Sequence, residues 1–358
     1  MRRVTYKSVL GKAGSLWTGE SVPTTEDAAT LNVFINQRAA EHWESFWWPE
    51  LTPSEERQFR ANWASGTTYG APSATSAVEV YYPKAQKYYQ SLHSSNTGNA
   101  PATGTDLAEN SAHWAECAPE YSEDVEWATG VVFTVGLITK NPDDQRFYQC
   151  ITAHTAGGSF DGSKFGILTP FVRDIDYEQT LAGVAQTAIG EVRTVWNKDP
   201  YVYEPSERCR IKFDLTDRGV VVRGEQAIVW VEFRKRVPEW SATVTPAQHS
   251  LSTTYGLGAR VYDDTEGDYF KSLQGGNTGR AVTDSAWWER IEFPYVLRDS
   301  VPQAAYADML RTDGANEKSA VELGRAEKLM RREIGKIELL QGQSRPLNVV
   351  GRAYAPMD

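Results

Sequence analysis

Five histidines, three cysteines and 47 carboxylate side chains are the groups of this 358-residue chain that could shuttle a proton, attack a carbon or hold a metal. A nucleophile needs a base beside it, and a metal needs clustered donors, so spacing decides what such groups can do. Cys117, Cys150 and Cys209 form no C-x-x-C pair, and His93, His113, His154 and His249 are dispersed. No Asp or Glu lies in an apolar run that would raise its pKa for acid work. The phosphate, dinucleotide, zinc-protease and nucleophile-elbow signatures are all missing; GGSFD at 157–161 fails the last of these at its final position. The chain therefore reads as non-enzymatic, with no catalytic residues, metal ligands or cofactor expected. Two carboxylates suffice for a glycosidase, so a glycan-cleaving enzyme is the activity that spacing leaves open.

The elements that must carry these residues follow from composition. Twelve Trp, 17 Tyr and 12 Phe accompany 28 Gly and 17 Pro, which suits short strands, many turns and packing through flat rings. A net charge of −10, with Arg234-Lys235-Arg236 as the only basic run and that read as a solvated strand end, argues against specific nucleic-acid binding. An odd number of cysteines predicts reduced thiols in a chain folded in a cytoplasm. MRRVTYKSVLGKAGSL has no apolar h-region, so no signal peptide is expected, and no run approaches about 18 apolar residues, so no membrane span is expected.

Helix grammar is clearest at the two ends. Thr25 reads as a cap before Glu26 and Asp27, and Leu31, Phe34, Ile35, Ala39, His42, Trp43 and Phe46 make one apolar stripe. Trp47 and Trp48 follow, and Pro49 stops the helix. Thr52, Pro53 and Glu55 then read as the start of a second helix, giving a helical hairpin with an arm over residues 1–70. His42 on the stripe reads as a packed histidine. Trp43, Trp47, Trp48 and Trp63 are many for two helices, so Trp43, Trp47 and Trp48 are candidates for a subunit interface. At the other end, residues 299–342 read as helical. Over 316–341, Ala320, Leu323, Met330, Ile334, Ile337 and Leu340 share a side of a helix about 39 Å long. A narrow stripe on a long helix wants a partner, which makes Leu323, Met330, Ile334 and Ile337 further interface candidates. Residues 343–358 read as an extended tail.

Between the ends the chain repeats itself. AVEVYYPKAQKYYQSLHSSNTGNAP closing on SAHWAEC (repeat 1, 77–118) parallels GARVYDDTEGDYFKSLQGGNTGRAV closing on DSAWWERIE (repeat 3, 256–298). VVFTVGLITKNPDDQRFYQCITAHTAGGSF with DGSKFGIL (repeat 2, 126–176) follows the same scheme. Each has a strand, a turn, an aromatic pair (Tyr88–Tyr89, Phe147–Tyr148, Tyr269–Phe270), a Gly/Asn loop and a closing ring. The loops are Asn96-Thr97-Gly98, Ala156-Gly157-Gly158 and Asn277-Thr278-Gly279, and the closing rings are Trp114, Phe165 and Trp287–Trp288. A ribbon this short cannot bury a core alone, so the last ring must return to cover it. Residues 178–250 differ. IGEVRTVW, RIKFDL, VVVRG and AIVWVEFR read as successive strands of an antiparallel β-module. TDRG at 216–219 makes a hairpin, and Val229, Val231 and Phe233 share one face. The fold class read from all this is α+β, mainly β. It has three small aromatic β-repeats and an antiparallel β-module, bracketed by an N-terminal helical hairpin and a long C-terminal helix.

RFYQCITAHTAGGSF at 146–160 resembles the small chitin-binding-type carbohydrate modules of families five and twelve. That resemblance implies sugar stacking on exposed rings, for which Trp114, Trp287, Trp288, Tyr89 and Tyr148 are the candidates; Phe165 departs from the family's Trp. LNVFINQRAAEHWESFWWPELTPSEERQF at 31–59 is similar to the openings of tailed-bacteriophage head–tail adaptor or connector proteins, through Trp43, Glu44, Trp47, Trp48, Pro49, Glu50 and Leu51. It implies a neck subunit in the virion, made in the host cytoplasm and assembled as a homo-oligomeric ring. Portal, tail tube or nozzle proteins would be its partners. The rival it leaves is a carbohydrate-binding tail or decoration protein that adheres to a surface glycan.

Overall fold

Thr5 accepts a hydrogen bond from Ser8 N–H at 3.2 Å, and Gly19, left-handed at φ +81°, donates its N–H to Ser15 O. Between these caps Tyr6–Thr18 forms helix α1, a stretch in which the sequence suggested only an arm. The computed structural model describes residues 3–20, 23–70, 78–181, 184–238, 240 and 247–343. Among these the architecture is α+β and mainly β, with four α-helices and many short antiparallel strands in small sheets. The tail at 344–358 lies outside the described residues.

Helix α2, Thr25–Glu44, begins one residue after its cap. Thr24, rather than Thr25, accepts from Asp27 N–H at 3.2 Å. The expected second helix is not formed: after a single 3-10 turn at Pro49–Leu51, Ser54–Gln58 is a β-strand. It pairs antiparallel with Ile228–Lys235 along its whole length, Ser54 opposite Glu232 and Gln58 opposite Ile228. A capping box stabilises a helix end by about 1 kcal/mol, whereas a sheet edge satisfies a run of backbone groups and buries one side of the strand. Here tertiary pairing wins. The N-terminal helices are therefore α1 and α2.

The chain divides into two compact units, Met1–Thr52 with Arg236–Asp358, and Pro53–Lys235. In the first unit α1 and α2 pack with α3, Ser300–Thr312, and α4, Asn316–Gln343. Their core is ring-rich: Tyr6, Trp43, Trp48, Trp240 and Phe293 are all at most 3% exposed. Tyr6 stands edge-on to Tyr269 at 5.1 Å, which fixes repeat 3 to α1. His42 is buried and its Nδ1 lies 3.1 Å from Ser300 Oγ; burial is the largest cause of its lowered pKa. The stripe thus does hold a packed histidine.

In the second unit the β-module is a small sandwich. One sheet runs Arg210–Ile211, Ile189–Trp196, Ile228–Lys235 and Ser54–Gln58; the other runs Asp174–Asp176, Gly219–Val222 and Phe213–Leu215. Val229, Val231 and Phe233 are fully buried, beside Val195 of their own sheet and in one cluster with Ile175 and Val220 of the other, as the alternation suggested. At the hairpin, Gly219 meets Ile175 so closely that an added Cβ would lie 2.0 Å from the Ile175 carbonyl oxygen.

Candidate functional site

Each repeat builds one three-stranded antiparallel sheet with its second strand central. The sheets are Glu79–Tyr82, Lys87–Ser91 and Trp114–Glu116; Ile138–Lys140, Phe147–Cys150 and Phe165–Ile167; and Arg260–Asp263, Asp268–Ser272 and Trp288–Ile291. Repeats 1 and 2 lie in the second unit and repeat 3 in the first. Adjacent aromatics point to opposite faces, so Tyr89, Tyr148 and Phe270 enter the module's own small core while Tyr88, Phe147 and Tyr269 face outward from it.

A polar node holds each loop to that core. In repeat 1 Asn96 Nδ2 donates to Ser91 Oγ at 3.3 Å and to His113 O at 3.2 Å. Repeat 3 repeats this atom for atom, Asn277 Nδ2 donating to Ser272 Oγ at 3.0 Å and to Trp287 O at 3.4 Å. The closing indoles are tied alike, Trp114 Nε1 to Asn99 O at 2.9 Å and Trp288 Nε1 to Arg280 O at 3.2 Å. A short strap brings a further ring edge-on to each closure. The pairs are Tyr69–Trp114, Phe133–Phe165 and Tyr255–Trp288, at 5.2, 5.3 and 5.2 Å. Tyr69 and Tyr255 lie ahead of the residues at which repeats 1 and 3 begin in the sequence, and Phe133, although inside repeat 2, carries no mark there of a strap ring.

Repeat 2 fills the node with different chemistry. Phe133 opposite His154 corresponds to Tyr69 opposite Asn96, so His154-Thr155, not Ala156-Gly157, matches Asn96-Thr97. Cys150 takes the serine's place, with its Sγ 3.9 Å from His154 Nδ1. Spacing in the sequence does not single out this Cys–His pair. Both groups contact Thr152 O, Cys150 Sγ at 3.2 Å and His154 Nδ1 at 2.8 Å. A carbonyl only accepts, so Nδ1 carries the proton and cannot serve as the thiol's base. Burial also pushes the Cys150 thiol pKa up. The pair works as a hydrogen-bond node, as in the sister repeats.

The sugar-stacking candidates divide by exposure. Tyr89, Trp114 and Trp288 are 2%, 0% and 3% exposed, and such rings present no face to a sugar; burial pushes the Tyr89 hydroxyl up to about 12. The expectation of exposed stacking rings is corrected at these three positions, since a three-stranded ribbon needs them as its core. Tyr148 and Trp287 are half-buried. Phe160 stands edge-on to Tyr148 at 5.0 Å, and the Arg280 guanidinium lies 4.9 Å from the Trp287 ring.

Most of the interface candidates are used inside the first unit. Trp48 and Trp43 are core residues, Trp48 Nε1 donating to His42 O at 2.8 Å. Met330, Ile334 and Ile337 pack on the same core from α4. The partner this helix required is its own unit, which corrects their assignment as an open interface. Trp47 and Leu323 are half-buried, and Leu340 at the far end of the stripe is 65% exposed.

Repeats 1 and 2 bind each other through equivalent residues. Gln90 Nε2 donates to Ile167 O at 2.9 Å, and its counterpart Gln149 donates to Trp114 O at 3.3 Å and Ser111 O at 3.1 Å. Leu92, Ala115 and Leu168 fill the seam, and Gly166 is needed there because an added Cβ would lie 2.8 Å from Leu92. Repeat 3 carries Lys271 and Glu289 at the corresponding places, with Glu289 exposed. No helix among the described residues is long and apolar enough to cross a membrane. No family model, no curated protein and no solved structure matches this chain.

Proposed function

We propose that this chain is a non-enzymatic structural protein of a tailed-bacteriophage virion, a head–tail connector or adaptor subunit that assembles as a ring beside the portal and tail. The observation that carries this reading is the use of the aromatic residues. Rings close each repeat, fill the helical core and seam the modules, which makes rigid building parts. The run Trp43 to Leu51, on which the likeness to adaptor proteins rests, forms the end of α2 and the turn after it, with Trp43, Trp48 and Leu51 buried. Labelling this protein in intact particles tests the reading. Label at the capsid–tail junction is the expected result, and label at fibre tips would overturn it.

Adhesion to a surface glycan is the second reading, favoured by the half-exposed Trp287 and Tyr148 alone. Pull-down on chitin, peptidoglycan and host polysaccharide separates the two. Saturable binding that Trp287→Ala abolishes would support adhesion. For Trp114→Ala the structural reading expects a fall in stability of about 3–5 kcal/mol, as for other buried tryptophans, with no sugar bound before or after.

A further inference from the structure

Repeats 1 and 2 read each other's backbone through two buried amides. Gln90 stands opposite Ala115 in its own sheet, and Gln149 stands opposite Gly166 at the same place in the next. Gln90 donates from Nε2 to Ile167 O at 2.9 Å. Its Oε1 accepts from Thr169 N–H at 3.2 Å and from Thr169 Oγ1 at 2.9 Å. Gln149 in turn donates to Trp114 O and Ser111 O of repeat 1. Side chains reach main chain in this way only where the two sheets approach closely, and the alanine and glycine beside the amides leave room for it.

The same two places in repeat 3 carry Lys271 and Glu289, opposite each other in register. A glutamine both donates and accepts, whereas a lysine only donates. Lys271 in the seat of Gln90 would leave an N–H like that of Thr169 buried and unpaired. Glu289 in the seat of Gly166 would bring a full side chain to a place where one added Cβ already falls 2.8 Å from Leu92. Both charges would also be stripped of water, a cost that their mutual attraction repays only in ideal geometry.

We propose that Lys271 and Glu289 set which modules pair: they bar repeat 3 from the seam, so that repeat 2 takes repeat 1. Three like sheets in one chain, or in neighbouring copies, can otherwise join in more than one way during folding. Selectivity then needs an element that disfavours the wrong partner, and the two charges supply it. Neither the virion reading nor an assembly of copies is required for this role.

The test moves the charges within the full chain. Leu168→Cys places a thiol in the seam, where Leu168 is 4% exposed, and Cys209→Ser removes the exposed native one. The rate of maleimide labelling at position 168, followed by peptide mass, reports opening of the seam. Gln90→Lys with Ala115→Glu is expected to speed labelling about a hundredfold, and the neutral match, Gln90→Met with Ala115→Ser, about tenfold or less. Adding Lys271→Gln and Glu289→Ala to the charged chain gives repeat 3 the seam residues of repeat 1, and labelling is expected to slow again. Should the two charges together prevent folding, Gln90→Lys against Gln90→Met makes the same comparison. Equal rates in charged and neutral chains overturn the proposal, and so does a charged chain on which the changes in repeat 3 have no effect.

Discussion

The buried polar node explains why such small modules hold one shape. A loop that folds back over a ribbon must bring backbone carbonyls with it, and a buried carbonyl without a donor costs about 1–3 kcal/mol. At His113 O and Trp287 O the backbone already supplies one donor, from Leu92 and Leu273 N–H, and Asn96 and Asn277, each 1% exposed, add a second that ties the loop to the closing strand. The closing rings are readable in the sequence because Trp and Phe stand out at regular spacing. The node is not, since Ser–Asn and Cys–His preserve a geometry and no letter. That substitution also explains why the second loop was aligned two residues late. Another buried polar group, His42, gives a pH dependence. Burial and Arg38 lower its pKa from the ordinary 6.5, against the opposite pull of Glu41 and Glu327. Between that lowered value and 6.5 the unfolded chain binds a proton that the folded chain refuses, so stability must fall as pH drops below 6.5. Thermal melts over this window should show the fall, with a shallower slope in His42→Gln. The slope should not vanish, because His113 is lowered by burial and by His93 in the same direction. An unchanged slope in the variant would remove His42 from the account.

Elements were legible where one stripe and its caps agree, and illegible where distant strands decide. Helix α2 and α4 both follow stripes read directly from spacing. Helix α1 has the same grammar, with Thr5, then Tyr6, Val9 and Ala13 on the buried side, then Gly19. Ser54–Gln58 is the opposite case, a strand bearing a helix start. Its pairing partner lies more than a hundred residues away, and no local pattern announces it. The cap of α2 allows a sharp test. Thr24 Oγ1 accepts from Asp27 N–H and donates to Asp27 Oδ2 at 2.6 Å, whereas Thr25 is exposed. Thr24→Ala should cost about 1 kcal/mol by denaturant unfolding. Thr25→Ala should stay within about 0.5 kcal/mol, as exposed substitutions usually do. Equal costs would place the cap where the sequence first suggested it.

The division into units departs furthest from linear reading, which sets residues 1–70 apart as an arm with a helical hairpin. Tyr6 N–H donates to Asp268 Oδ1 at 2.8 Å, and Arg38 grips Asp308 through Nε and Nη2 at 2.6 and 2.7 Å. Residues 1–52 therefore complete a core whose other half comes from 236 onward. No periodicity marks such a union, because what joins is the complementarity of two faces far apart in the chain. Pro53–Lys235 differs in being continuous. It holds both sheets of the sandwich, repeats 1 and 2, and the seam from Gln90 and Gln149. Expressed alone, residues 53–235 should melt in one cooperative calorimetric transition. Residues 1–70 alone should not, since α1 and α2 would leave Tyr6, Trp43 and Trp48 without Trp240, Phe293, Leu297 and Val301 to cover them. A cooperative melt from 1–70 would restore the hairpin as a domain of its own, and its absence from 53–235 would show that the second unit needs the first to fold.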